Sequence, residues 1–236
     1  MIHRLAPSTI LRRIISITIS TCISIFIVYL YSRYNSDKSW LQLILSFRLR
    51  KLKIKDIVWP LIITATIFLG PIVDSVLTRR RWFRNWDQVW ESRPNTWIIL
   101  RNWVIGPLIE EIVFRCINCT LLSNDFPVHY NVVISGLLFG AAHFHPQIMQ
   151  HVFLDMERQI LVDSIFQFLY TSAFGMYAAS IFMKTRSLWP GTIVHVFCNA
   201  MGMPSGDIFR NNRMKMVTIS GIVAWLLLYT NYMLEA

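Results

Sequence analysis

TWIILRNWVIGPLIEEIVFRCINCTLL, residues 96–122, places Arg101, Glu110, Glu111 and Arg115 inside a stretch that is otherwise mostly apolar. About 20 mostly apolar residues cross the hydrocarbon layer as a helix, so this stretch is long enough to span. An ionised side chain at the bilayer centre costs about 2.5–3.5 kcal/mol on insertion scales, and such groups are normally turned inward, paired and functional. The stretch therefore predicts a membrane helix that carries a working polar site.

The sequence on either side has the same character. Upstream, Ile14 to Tyr31 follows Arg12 and Arg13, and Ile57 to Leu77 is interrupted by Pro60, Pro71 and Asp74. Downstream, apolar runs cover Tyr130 to His145, Gln159 to Met183 with Asp163, Leu188 to Met203 with His195 and Asn199, and Met214 to Leu234. The first run is too long for a signal peptide and no small-residue cleavage site follows it, so it is expected to stay as an anchor. Arg33 to Asp56 is the most loop-like part, and its Leu41, Ile44, Leu45, Leu49 and Leu52 fit an amphipathic surface helix. A segment such as Trp40 to Phe47 would supply a further helix if it inserts. The expected fold is all-α: a polytopic integral-membrane helical bundle of about seven to eight transmembrane helices, forming a single membrane domain over residues 1–236.

Composition agrees. The 236 residues are 54% hydrophobic and 15% charged, with a mean hydropathy of +0.45, whereas a soluble domain carries about 25% charged residues. The net charge of +10 is held in short blocks between apolar runs, such as Arg48 to Lys55 and Arg79 to Arg84. That arrangement fits loops against anionic head groups and argues for membrane lipids, not nucleic acid, as the partner. If seven spans alternate, the basic loops divide nearly evenly between the two sides, so charge does not set the orientation. Cys22, Cys116, Cys119 and Cys198 all lie in apolar segments, which excludes a secreted disulfide framework. The lone CxxC at Cys116 and Cys119 reads as two small helix residues before a zinc or redox site.

Three clusters bring chemistry to the spans. In GPLIEEIVFR, residues 106–115, Glu110 and Glu111 point about 100° apart on a helix, so they cannot serve one face together. Arg115 lies four residues after Glu111 and shares its side. The expected division pairs Glu111 with Arg115 and leaves Glu110 to face a cavity as a general base; the rival is an ion network that only holds helices together. In FGAAHFHP, residues 139–146, His143 sits one turn after Phe139, and Gly140, Ala141 and Ala142 allow close helix approach. His145 faces elsewhere and is expected near the helix end, because Pro146 follows. In HVFCN, residues 195–199, His195 and Asn199 lie four residues apart on one face and can converge as donors on an oxyanion; the rival is a polar clasp between helices. Together these side chains fill each role that amide hydrolysis needs: a base for water, an acid for the leaving amine and donors for the tetrahedral oxyanion. Neither a nucleophile-elbow serine nor an HExxH motif occurs.

The order EExxxR (Glu110 to Arg115), FxxxH (Phe139 to His143) and HxxxN (His195 to Asn199) resembles the CAAX prenyl endopeptidase family, the type II, Ras-converting proteases of the wider CAAX-protease and bacteriocin-processing superfamily. RNWVIGPLIEEIVFR, TSAFGMYAASIFMKTRSLWP and HVFCNAMGMP are similar to its eukaryotic members as well. The likeness covers roughly Arg101 to Pro204, so residues 101–204 are expected to form the catalytic core, while the first two helices match in hydrophobicity alone.

The resemblance implies that Glu110 and His143 activate the attacking water and that His195 and Asn199 stabilise the oxyanion. Glu111 and Arg115 would support them, and Phe139 would pack in the site. It further implies substrates ending in a prenylated CAAX box, cut after the prenylcysteine, and a multi-pass protein of the endoplasmic reticulum membrane. A metal-free mechanism with no cofactor is preferred, because Asn199 is a poor zinc ligand; if zinc is used, Glu110, His143 and His195 would hold it. A thiol mechanism through Cys198 is the weaker rival. The chain is short for a eukaryotic member, and the segment from His145 to Glu157, with His151, Asp155 and Glu157, has no family role and reads as a solvated loop. The alternatives from other classes are a non-catalytic or bacteriocin-immunity-like membrane scaffold, or a transporter with an intramembrane polar relay. Transporters usually carry inverted repeats, and none is visible here.

Overall fold

The computed structural model describes residues 7–36, 53–78, 96–154, 158–202 and 212–235. They are helical nearly throughout, with no strand among the described residues. In chain order the elements are α1 (Pro7–Ser36), α2 (Ile54–Ile67) and α3 (Leu69–Thr78). A broken run follows: α4 (Thr96–Ile99), a π-helical segment (Leu100–Ile105), α5 (Gly106–Glu111), a second π-helical segment (Ile112–Cys119) and α6 (Thr120–Leu122). After it come α7 (Val128–Leu154), α8 (Arg158–Thr185), α9 (Leu188–Met201) and α10 (Asn212–Leu234).

Each apolar run of the sequence is therefore largely helical where it is described, the sixth ending at Met201. Among the described residues three helices are long and apolar enough to cross a membrane, Thr9–Tyr34, Leu161–Thr185 and Asn212–Leu234, and the bent pair α2 and α3 makes up to four. Their outward faces are oily. Ile19, Ile27 and Leu30 on α1, Phe166 and Leu169 on α8, and Leu226 and Leu227 on α10 are all at least half exposed. Rows of that kind are stable in hydrocarbon and a liability in water, so this is a membrane protein.

Three local expectations change. Arg33 to Ser36 still belong to α1 and Ile54 to Asp56 already belong to α2, so the loop-like stretch is shorter than Arg33 to Asp56; Leu41 to Leu52, with Trp40 to Phe47, lie outside the described residues. The helix carrying His143 does not end at Pro146 but continues to Leu154, which replaces most of the solvated loop predicted over His145 to Glu157. Proline removes one N–H and crowds the carbonyl four residues back, yet membrane helices tolerate it where neighbouring groups re-satisfy the freed carbonyl. Proline has the opposite effect at α2 and α3, which meet at an angle of 69°. Pro71 lies four residues after Ile67 and cannot donate to its carbonyl, and α2 closes at Phe68, whose N–H turns to the carbonyls of Ala65 and Thr66.

The chain divides into two compact units, residues 1–21, 51–109 and 192–236 in one and residues 22–50 and 110–191 in the other. In the first, α10 packs on α2 and α3 through small side chains. A Cβ on Gly70 would stand 3.1 Å from Thr218 Cβ, and one on Gly221 would strike the Thr66 carbonyl. In the second, α7 and α8 meet through Gly136, Gly140 and Gly175. A Cβ on Gly136 would come within 2.7 Å of the Met176 backbone nitrogen and 2.9 Å of the Ser172 carbonyl. The bare glycine surface lets the two backbones approach, as small residues do in membrane bundles, and fixes the face of α7 that carries Phe139 and His143.

Candidate active site

The second unit holds Glu110, Glu111, Arg115, Phe139 and His143. Glu111 and Arg115 form the expected i,i+4 pair, Oε2 to Nε at 3.0 Å, and both side chains are completely buried. The contact is an ion pair and not a well-aligned hydrogen bond: Arg115 Nε, Nη1 and Nη2 make none among the described residues. Part of the guanidinium's compensation comes from Phe139, whose ring centre lies 4.7 Å from Arg115 Cζ. Phe139 is 2% exposed and also meets the rings of Phe114 at 5.0 Å and His143 at 4.5 Å. The neighbouring Gly191 makes room for the carboxylate, since a Cβ there would lie 3.0 Å from Glu111 Oε2.

Glu110 behaves differently, as its position one residue earlier predicts. Its side chain is 28% exposed and His143 is 29% exposed, with Oε2 and Nε2 separated by 3.9 Å. The ring of His143 is oriented by a 2.8 Å hydrogen bond from Nδ1 to the Phe139 carbonyl. A carbonyl only accepts, so Nδ1 carries a proton, and in the neutral imidazole Nε2 presents its lone pair towards Glu110. The gap is too long for a direct hydrogen bond and suits a shared water. An oxygen about 2.8 Å from each atom would see them at an angle of about 90°, close to the angle between the two O–H bonds of water.

His195 and Asn199 lie in the other unit, on α9. His195 is 5% exposed. Asn199 Nδ2 donates to the carbonyl of Asn102 at 3.1 Å, in the first π-helical segment, and that bond fixes the plane of the amide. Asn102 was not singled out by sequence, because a backbone carbonyl leaves no mark in residue type.

The π geometry was not foreseen either. Glu110 and Glu111 stand at the end of α5 with a π-helical segment on each side, and such segments recur at functional sites. Cys116 and Cys119 are both fully buried in the second of them, as two small helix residues, and no disulfide joins the four cysteines. Catalytic zinc takes three protein ligands. Among the described residues no three His, Cys, Asp or Glu side chains gather in one place, and Glu110 with His143 supplies two donors.

Residues 90–201, which contain Glu110, Glu111, Arg115, Phe139, His143, His195 and Asn199, match the sequence profile described as type II CAAX prenyl endopeptidase, Rce1-like. CAAX prenyl protease 2 of Caenorhabditis elegans is 31% identical over 204 residues, 84% of this chain and 73% of that protein. The chain belongs to the type II CAAX prenyl endopeptidase family. CAAX prenyl protease 2 of Homo sapiens is 32% identical to this family member over 217 residues, 84% of the chain and 63% of the human protein. No solved structure matches the chain.

In this CAAX endopeptidase homologue the Glu111–Arg115 pair is a stability element with a sharp signature. Arg115→Ala removes the partner of a fully buried carboxylate and should cost about 3–5 kcal/mol. Glu111→Gln with Arg115→Met removes both charges and should cost far less. Thermal melts of the detergent-solubilised protein compare the two, and an Arg115→Ala protein as stable as the double variant would contradict the pairing.

Proposed function

We infer that this chain is an intramembrane endopeptidase that removes the C-terminal tripeptide from prenylated CAAX proteins. The observation that carries this reading is the 3.9 Å approach of Glu110 Oε2 to His143 Nε2, with both side chains partly exposed. Glu110 takes a proton from a water held between the two, and the resulting hydroxide adds to the carbonyl carbon of the prenylcysteine. His195 and Asn199 donate to the oxyanion. The C–N bond then breaks, and the proton taken from water passes to the leaving amine of the tripeptide. Phe139 braces the imidazole, while Glu111 and Arg115 hold the helix that presents Glu110.

The support comes from chemistry and from kinship. The motifs fall in the matched segment 90–201, and the relatives in nematode and human are both named CAAX prenyl protease 2. A prenyl chain partitions into hydrocarbon, so a site among membrane helices can take it sideways while the peptide enters from water. On this reading the protein is a single membrane domain of seven to eight spanning helices in the endoplasmic reticulum, with its catalytic core at 101–204 and lipids around it.

The mechanism is metal-free, with zinc on Glu110, His143 and His195 as the competing scheme. Purified protein should release the tripeptide from a farnesylated CAAX peptide and leave the unprenylated peptide intact, with activity surviving a strong chelator. Cleavage of neither peptide would favour a scaffold. Loss of activity on chelation, restored by zinc, would favour the metal scheme.

A further inference from the structure

Asn131, Ser135, Phe139 and His143 recur every fourth residue along α7 and so form one stripe of its surface. Each meets the broken run at a matching point. Asn131 Nδ2 donates to the Cys119 carbonyl at 2.8 Å and to Ser123 Oγ at 2.9 Å. Ser135 Oγ donates to the Phe114 carbonyl at 2.8 Å. Phe139 lies under Arg115 and against Phe114, and His143 faces Glu110. The partners run 119, 114, 115 and 110 as the stripe runs 131, 135, 139 and 143, so the two segments are antiparallel and held at both ends of the contact.

We propose that Asn131 and Ser135 are positioning residues for hydrolysis, gripping the carbonyls of the second π-helical segment so that His143 and Glu110 stand one water apart. This rests on the endopeptidase reading above. Both side chains are fully buried, and besides the Asn131 bond to Ser123 each donates to a backbone carbonyl, of Cys119 and of Phe114, within a segment whose bonding differs from that of an α-helix. Their bonds therefore report where the main chain lies, not where a flexible side chain has swung. Short side chains transmit that position with little slack. Apolar contacts such as Phe139 on Phe114 tolerate sliding, whereas a hydrogen bond is lost over a fraction of an ångström. The rise per residue of a helix is about 1.5 Å, so a slip by one position would close or open the gap at Glu110 by more than a water can bridge. Misplacement of a reacting group by about 1 Å can cost about a hundredfold in rate.

The test uses the full chain in detergent, with kcat and KM for a farnesylated CAAX peptide measured at a temperature where each variant is folded. Ser135→Ala should lower kcat about tenfold and Asn131→Leu with Ser135→Ala about a hundredfold, with KM unchanged. Ser135→Thr, which keeps the hydroxyl, should restore most of the loss. Ser180→Ala is the matched control: that buried hydroxyl donates within its own helix, to the Tyr177 carbonyl, and its loss should leave kcat unchanged. If Ser135→Ala and the double variant melt earlier but turn over like the parent, the proposal is overturned. Should the double variant fail to accumulate, Ser135→Ala against Ser135→Thr decides by the same comparison. Glu110→Gln separates the layers. Inactive Glu110→Gln with a fully active double variant removes the positioning role alone; active Glu110→Gln removes the endopeptidase reading beneath it.

Discussion

Glu110→Ala should accumulate in membranes at the parental level and release no measurable tripeptide from a farnesylated CAAX peptide. Glu110→Gln should do the same while keeping the shape of the side chain. The carboxylate is the proposed proton acceptor for the water, and an amide at that position cannot take a proton. Loss of a general base costs about 10²–10⁴-fold, and here the same group also holds the nucleophile, so the two losses fall on one residue. Stability should barely move. Glu110 is 28% exposed, unlike its fully buried neighbour Glu111, and His143 across the gap is itself 29% exposed and so stays in reach of water. A Glu110→Ala protein that cleaves normally would end the catalytic assignment, and one that melts much earlier would recast Glu110 as a structural group.

The second large effect belongs to Asn199. Asn199→Ala should lower kcat about 10²–10³-fold if the amide donates to the oxyanion, with little change in KM, because the donor is used most as charge develops on the oxygen. The clasp alternative makes a different forecast. Asn199 is bonded to the Asn102 carbonyl at 3.1 Å, and a pure clasp would show up as a lower melting temperature, by about 0.5–1.5 kcal/mol for each hydrogen bond lost, with the turnover of the folded fraction intact. Measuring kinetics and melting on the same preparation separates them. A loss confined to KM would count against both.

Much of the architecture was legible because hydropathy is a strong, one-dimensional signal. Residues 96–122, 158–185 and 212–234 are helical within a residue or two of where the apolar runs place them. Spacing also read correctly where one helix sufficed, as with Glu111 and Arg115. What escaped the sequence depends on backbone bonding or on register between segments. The π-helical segments are made of the same residue types as their α-helical neighbours. The carbonyls of Asn102, Phe114 and Cys119, which Asn199, Ser135 and Asn131 seek, have no side-chain identity. Residue type alone does not separate the two prolines: in α7 the helix passes through Pro146, whereas Pro71 follows the break at Phe68. The four-residue recurrence of Asn131, Ser135, Phe139 and His143 was visible, but two small polar residues in a membrane helix do not stand out until their partners are known.

The arrangement of Glu111 and Arg115 bears on how the protein is made. The two opposite charges sit on one segment a single turn apart and touch each other directly. They can meet as soon as that turn winds, before any other helix is at hand. The segment thus enters lipid with this acid already neutralised from within, and its insertion does not have to wait for a companion synthesised later.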